Sequence, residues 1–278
     1  MGLETLLLPF HFAFMQKAFF IGIIIAIPTA LLSCFLVVKG WALMGDAVSH
    51  AILPGVVLAY LLGAPLIIGA FATGMICALA TGYLTQNSRV KPDTVMGVVF
   101  SGMFGIGIVI YIAIDSALHL DHILFGNILG IRPNEVIMAL VISTVVSIGL
   151  LAKSKDLLLY SFDATQARAS GLSVGLLYYG LLAAMTLTVV ATLSATGLIL
   201  AIGLMIAPGA IAFLLVRRFT TMMLVAVAVA ITAMTMGIYA SFFLDSAPAP
   251  TIVLVFSLMF IAAFVAKVMR QSRAETAS

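Results

Sequence analysis

Residues 15–38 read MQKAFFIGIIIAIPTALLSCFLVV, and from residue 18 onwards this stretch contains no charged side chain. It is long enough to cross a bilayer, because an α-helix needs about 20 apolar residues to span the hydrocarbon core. Similar apolar runs recur to the end of the 278-residue chain, which is 64% hydrophobic and only 8% charged, with a mean hydropathy of +1.28. A soluble domain of this size cannot bury so much apolar surface. The composition therefore predicts an all-α, polytopic transmembrane bundle.

Nine apolar segments can be drawn along the chain, at residues 15–38, 42–62, 65–85, 94–114, 133–152, 175–195, 198–216, 221–243 and 251–268. The polar connections between them are too short to build a core, so we expect residues 1–278 to form a single transmembrane domain. Only the sequence SATG joins segments 175–195 and 198–216. A re-entrant hairpin at that point would leave eight spans instead of nine.

Basic residues are distributed unevenly between the two sides of the predicted bundle. If the segments alternate, 11 of the 13 lysine and arginine residues fall on one side, and only Lys17 and Arg132 fall on the other. The positive-inside rule makes the basic side cytoplasmic, which places the N-terminus outside and the C-terminus in the cytoplasm if there are nine spans. The same rule accounts for the net charge of +3, so a nucleic-acid partner is not implied.

The second segment contains an ionisable pair within the sequence MGDAVSHAILPGV at residues 44–56. Asp46 and His50 are four residues apart and therefore share one face of a helix. Ionisable side chains in the middle of a membrane cost a few kcal/mol and usually face a polar path. Pro54 has no N–H to donate to the carbonyl group of His50, which leaves a free acceptor beside the pair. We interpret the pair as half of a metal site, the alternative being an intrahelical hydrogen bond or a polar contact between helices.

The ligand types restrict the metal that this pair would bind. Two protein ligands are too few for a tight site, so either other helices or a second copy of the chain would have to supply the rest. Oxygen and nitrogen ligands without sulfur suit Mn²⁺, Fe²⁺ or Zn²⁺ and disfavour Cu⁺. Cys34 and Cys77 both lie in apolar segments without a CxxC spacing, so we expect them to be packing residues.

Small residues and prolines within the segments indicate how the helices pack. Gly97, Ser101 and Gly105 have a four-residue spacing that lets helix backbones approach closely in lipid. Pro28 and Pro208, like Pro54, fall inside apolar segments, where each removes a backbone hydrogen bond and can bend the helix. Bent helices line transport pathways, although an ordinary packing kink explains Pro28 equally well.

Four motifs carry a resemblance to a known family: FMQKAFF at 14–20, GDAVSHAILPGV at 45–56, LFGNILGI at 124–131 and FDATQARASGL at 162–172. With them the chain resembles, over essentially its full length, the ABC-3 permeases of bacterial ABC importers for manganese, zinc and iron. The resemblance implies a location in the bacterial cytoplasmic membrane and an architecture similar to that of the permeases of cobalamin and siderophore importers. The LPG form of the second motif is more similar to the manganese and iron branch than to the zinc branch.

The resemblance also implies roles for individual residues. The aspartate and histidine of the family's pathway correspond to Asp46 and His50. Where family members often have two basic residues before the motif helix, this chain has Lys39, Gly40 and Trp41, so the resemblance gives that loop no detailed role.

The partners that the resemblance implies are a second permease, identical or related, a pair of cytoplasmic ABC ATPases and an external metal-binding protein. The chain itself contains no GxxxxGK[ST] motif, the loop that cradles nucleotide phosphates. We therefore expect a transport subunit without enzymatic activity or a permanently bound cofactor, with ATP used by a separate chain.

The cytoplasmic loop at about 153–174 has the sequence pattern of a docking element. Asp163 can cap a short helix of about two turns, with Gln166 three residues later, and Gly171 can end it. In the family that this chain resembles, this position is the coupling helix that contacts the ATPase. Gln166 and Arg168 are the polar residues expected at that contact, while an interfacial helix without a partner is the alternative.

The external loop holds a second group of metal-binding residue types, namely Asp115, His119, Asp121 and His122. Asp115 and His119 again have the spacing that places two ligands on one helix face. They could receive a metal ion from a binding protein, although a solvated loop is the commoner explanation for such residues.

Two other functions are compatible with parts of the sequence. In a secondary transporter driven by an ion gradient, Asp46 and His50 would relay protons, since both side chains titrate. An intramembrane enzyme is disfavoured, because there is no HExxH motif and Ser49 and His50 point about 100° apart on a helix.

Overall fold

The computed structural model describes residues 3–113 and 128–276, and every regular element in these two ranges is helical. A 3₁₀ turn follows the gap at Ile128–Gly130. The α-helices of the described ranges are α1 (Leu3–His11), α2 (Ala13–Lys39), α3 (Ala42–Ala51), α4 (Leu53–Leu61), α5 (Leu66–Asn87), α6 (Pro92–Ala113), α7 (Pro133–Ala152), α8 (Ser154–Phe162), α9 (Ala164–Ala169), α10 (Val174–Thr196), α11 (Leu198–Leu215), α12 (Phe219–Leu244) and α13 (Pro248–Thr276).

Within the described ranges, nine helical segments are long and apolar enough to cross a membrane. They coincide with the nine apolar segments predicted from the sequence, and α3 and α4 together form the second. Helices α10 and α11, with 23 and 18 residues, are joined at Gly197, whose φ of +81° is in the left-handed region that favours glycine. Each of the two is long enough to cross, so the described residues favour nine spans over the eight-span alternative.

Two short helices in the described ranges were not predicted. Helix α1 precedes the first span and is separated from it by Phe12, whose backbone is extended. Helix α8 occupies the first half of the loop at 153–174, which was expected to contain only one short helix. At nine residues each, both are too short to cross a bilayer.

Helix α2 is the centre of the bundle and packs against α7, α10, α11 and α12. Its contact with α11 is polar at one point, where Ser33 Oγ donates to the Ile206 carbonyl at 3.1 Å and accepts from the Gly209 N–H at 2.9 Å. Pro208 lies between those two residues and has no N–H of its own. The serine hydroxyl therefore holds α2 against the part of α11 where the proline disturbs the helical hydrogen bonds.

Close backbone contact occurs at glycines other than the predicted set. Gly55 on α4 and Gly69 on α5 touch so closely that a Cβ atom on either would meet the carbonyl oxygen of the other. At Gly97 and Gly105, by contrast, a Cβ atom would have no neighbour within 4 Å in the described chain. The small-residue stripe on α6 is therefore not used for packing inside the described part of this chain. The spacing alone did not show which glycines face another helix.

Candidate functional site

Helix α3 presents Asp46 and His50 on one open face. Asp46 Oδ1 lies 3.4 Å from His50 Nε2, and the two side chains are 31% and 26% exposed in the isolated chain. The neighbouring α3 residues Ala47, Val48 and Ser49 are buried against the rest of the bundle. The predicted pair therefore lies together on the face of α3 that the described helices leave partly uncovered.

The interruption of this span lies directly after the pair. Helix α3 ends at Ala51 and α4 begins at Leu53, so Ile52 separates the two helices. Pro54, the second residue of α4, has no N–H. Gly107 on α6 packs against the ring of Pro54, where a Cβ atom would lie 2.9 Å from the proline Cδ. The span is thus broken at Ile52, and α6 is packed tightly against that break. The His50 carbonyl, which was predicted to be a free acceptor, accepts a hydrogen bond from the Ile52 N–H.

Two phenylalanines of α6 surround the imidazole of His50. The Phe100 ring stacks on it with a centroid distance of 5.8 Å, and the Phe104 ring meets it edge-on at 5.3 Å. Among the described residues, His50 Nδ1 is buried and has no hydrogen-bond partner. The rings therefore fix the orientation of the imidazole with Nε2 directed towards Asp46. Sequence reasoning missed both phenylalanines, although their four-residue spacing marks one face of α6.

The geometry of the pair fits two ligands of one ion. Two ligand atoms at about 2.1 Å from a metal and at a tetrahedral angle lie about 3.4 Å apart. In the described part of the chain, however, no third histidine, cysteine, aspartate or glutamate lies close enough to complete such a site. One copy of the described chain thus offers one oxygen and one nitrogen ligand and needs further ligands from elsewhere.

The other predicted metal ligands fall outside the described residues. Asp115, His119, Asp121 and His122 all lie between residues 113 and 128, in the gap between the two described ranges. Their interpretation as an external capture site therefore remains a prediction.

The short helix predicted in the loop at 153–174 is present as α9. Asp163 Oδ1 caps it by accepting hydrogen bonds from the N–H groups of Thr165 and Gln166 at 2.8 and 3.0 Å. Gly171 follows the helix with a φ of +82°, and the N–H of Leu172 bonds back to the Ala167 carbonyl at 3.1 Å. The cap and the glycine stop were thus both readable from the sequence.

Helix α9 is anchored on one side and open on the other. Ala167 is fully buried, whereas Gln166 and Arg168 are exposed. Phe162, the residue before the capping Asp163, is 72% exposed, which is unusual for an aromatic side chain outside the membrane spans. Sequence reasoning chose Gln166 and Arg168 for this surface and missed Phe162, whose exposure depends on how α8 packs.

Comparison with known proteins gives consistent matches along nearly the whole chain. The family described as the ABC 3 transport family matches residues 11–267. The chelated iron transport system membrane protein YfeD of Yersinia pestis is 52% identical over 257 residues, which cover 92% of this chain and 86% of that protein. The manganese transport system membrane protein MntB of Synechocystis is 40% identical over 257 residues, covering 92% and 84%. The solved structure of PsaBC from Streptococcus pneumoniae in complex with Fab has a TM-score of 0.85 at 31% identity and covers 95% of each chain.

Proposed function

This chain belongs to the ABC 3 transport family and is a multi-pass membrane permease of ABC-type metal transport, and from that premise we propose that it imports a divalent transition metal by way of Asp46 and His50. The observation that carries the proposal is the 3.4 Å separation of Asp46 Oδ1 and His50 Nε2 on an open face of a membrane span. A carboxylate and an imidazole kept in the membrane at this distance are explained by an ion that passes between them.

The proposed cargo is Mn²⁺ or Fe²⁺, with Zn²⁺ less favoured. The pair offers oxygen and nitrogen but no sulfur, which suits these three ions. Among the relatives, YfeD is described as a chelated iron transport protein and MntB as a manganese transport protein, which supports the first two ions. Two ligands from one chain are enough to hold an ion in transit, and release is easier from such a site than from a complete cage.

The proposed assembly contains two permeases. The open face that carries Asp46 and His50 would then meet the same face of a second, identical or related chain across a twofold axis. The pair would become a set of four ligands, two carboxylates and two imidazoles, to which Mn²⁺ or Fe²⁺ can add water molecules. An external metal-binding protein would deliver the ion, and Asp115, His119, Asp121 and His122 are the residues proposed to receive it.

Energy would come from a pair of ATPase subunits bound at the cytoplasmic face. In the proposed orientation the N-terminus lies outside the bacterial inner membrane and the C-terminus lies in the cytoplasm, as the uneven distribution of basic residues indicates. Helix α9 would then be on the cytoplasmic side, where Phe162, Gln166 and Arg168 form an exposed surface next to a capped helix end. We propose that this surface fits into a groove of the ATPase.

The experiment that tests the function is uptake by proteoliposomes that contain the permease and its ATPase partner. Mn²⁺ and Fe²⁺ are offered outside the vesicles with the metal-binding protein. Uptake is compared with and without ATP enclosed in the vesicles, and with and without an uncoupler. Accumulation that requires ATP and resists the uncoupler is expected. Uptake by the chain alone, or uptake that collapses with the uncoupler at constant ATP, would instead identify a gradient-driven transporter with Asp46 and His50 as a proton relay.

A change at the helix cap tests the ATPase contact. Asp163→Ala removes the acceptor for the N–H groups of Thr165 and Gln166, which should destabilise α9 by about 1 kcal/mol. We expect the permease to reach the membrane normally but to retain its ATPase partner less well during purification. Asp163→Asn is the matched control, since asparagine caps helices about as well as aspartate. Equal ATPase retention by Asp163→Ala and the wild type would contradict the proposed contact.

A further inference from the structure

The turn that leads into the site helix is fixed by its backbone. Lys39 is the last residue of α2, Gly40 has a left-handed φ of +75°, and Trp41 precedes α3. The N–H of Trp41 donates to the Leu36 carbonyl at 2.8 Å, which closes the turn over the end of α2. The Lys39 and Trp41 side chains therefore project from a closed turn that leads directly into α3.

Lys39 connects this turn to the cytoplasmic loop. Its ammonium group donates to the backbone carbonyl of Tyr160 on α8 at 3.1 Å and lies 3.9 Å from the centroid of the Tyr160 ring. The same ammonium lies 5.6 Å from the centroid of the Trp41 ring. Both distances are in the range of cation–π attraction, so one charge holds an α8 residue and the residue before α3 together.

The cluster continues into two further helices. The Trp41 ring meets the ring of Tyr178 on α10 edge-on, with a centroid distance of 5.7 Å. The Tyr178 hydroxyl occupies the space that a side chain at Gly82 on α5 would fill. Because Tyr160 is buried and lies near Tyr178, the pKa of its phenol is raised to about 12, and the phenol stays neutral at physiological pH. The charge of Lys39 is therefore the single formal charge within this group of four side chains.

A lysine at the end of a membrane helix normally extends its ammonium group into water. Lys39 instead turns inward, and its side chain is half-buried between two aromatic rings. Partial removal of a cation from water carries a cost that the two rings and the Tyr160 carbonyl offset. Orientation in the membrane does not require this arrangement, because a lysine in water would satisfy the positive-inside rule equally well.

We propose that Lys39, Trp41 and Tyr160 form a link that transmits movement of the α8–α9 element to α3 and so changes the position of Asp46 and His50. The inference rests on the proposed function, since it assumes that an ATPase moves α9. Tyr160 lies three residues before Asp163, which caps α9, and Trp41 lies five residues before Asp46. A helix of this length is rigid, so a shift at Trp41 reaches Asp46 about 8 Å and His50 about 14 Å further along the axis.

The test measures how many metal ions are transported for each ATP hydrolysed by the reconstituted complex. In Lys39→Met, which keeps most of the length of the side chain but removes its charge, and in Trp41→Leu, this ratio is expected to fall at least about fivefold. ATP hydrolysis without metal should continue, because the ATPase contact on α9 is unchanged. Lys39→Arg retains a donor and a cation that can lie over the two rings, so it should restore most of the ratio.

Lys153→Met is the matched control for the loss of a cytoplasmic charge. Lys153 is well exposed and pairs only with Asp156 at 3.1 Å among the described residues, so its removal should leave the ratio unchanged. If Lys39→Met behaves like Lys153→Met while the wild type transports metal, the link is disproved and the proposed function stands. If the wild type itself moves no metal with ATP, the proposed function fails first.

A second measurement on the unaltered complex covers the case in which the variants do not assemble. Trp41 is the chain's single tryptophan, so the tryptophan emission of the permease reports this residue alone once the emission of the separately purified partner subunits is subtracted. Trapping the ATPase in its nucleotide-bound state should shift the Trp41 emission, because the distances to Lys39 and Tyr178 change. An emission spectrum that is identical in the free and the trapped complex would overturn the proposal.

Discussion

Asp46→Asn and His50→Gln are each expected to lower metal accumulation by about 100-fold, while the protein still reaches the membrane. Residues that only support a metal ligand already contribute about 10- to 100-fold to metal affinity, so losing one of the two ligands themselves should have an effect at the upper end of that range. Both variants remain polar and similar in size, and asparagine removes a charge that is costly to insert into a membrane. Poor folding is therefore not expected to explain the loss.

The measurement is the metal content of metal-starved cells that express the complete transporter, determined by mass spectrometry at matched membrane expression. His11→Gln and Asp245→Asn are the controls, because they remove the same groups from exposed positions outside the nine spans of the described chain. The metal whose accumulation falls in both site variants identifies the cargo. Normal accumulation of every metal in both variants would return the pair to a structural role.

Gly55→Ala is expected to have the largest effect on stability. The added methyl group would meet the backbone carbonyl of Gly69 and the hydroxyl of Thr73, so α4 and α5 must separate. Forcing extra atoms into a packed contact costs about 1–3 kcal/mol when side chains can adjust, and here the obstacle is backbone that cannot rotate away. We expect a cost of about 3 kcal/mol or more and an unfolding temperature lower by about 5 °C or more.

Gly149→Ala is the matched control for this substitution. Gly149 also lies inside a membrane span, but a Cβ atom there has no neighbour within 4 Å. Alanine favours a helix over glycine by roughly 1 kcal/mol, so this variant should be as stable as the wild type or slightly more stable. Thermal unfolding in detergent, followed by size-exclusion chromatography, compares the two. Equal unfolding temperatures would show that α4 and α5 do not touch as described.

The packing of α4 and α5 also bears on the site. Helix α4 continues the span that carries Asp46 and His50, and its first turn is held by Gly107 on one side and by the Gly55–Gly69 contact further along. A displacement of α4 would therefore shift the break at Ile52 and, with it, the end of α3. Metal uptake by any Gly55→Ala protein that does fold should consequently be reduced as well.

The sequence by itself determined those features that depend on consecutive residues. Runs of about 20 apolar side chains predicted all nine spans of the described chain, because crossing a bilayer is decided by length and hydropathy. The four-residue spacing of Asp46 and His50 predicted their shared face, because helix geometry alone determines it. Asp163 and Gly171 predicted the ends of α9 for the same reason, since a cap and a left-handed glycine act within one turn.

Only the tertiary structure decided which side chains of different helices meet. Phe100 and Phe104 surround His50, and Lys39 turns inward to Tyr160. Gly55 touches Gly69, whereas a Cβ atom at Gly97 would have no neighbour within 4 Å in the described chain. These contacts depend on how each helix is rotated about its axis. In spans that are apolar on all sides, hydropathy does not specify that rotation, so close packing and a few polar contacts set it instead.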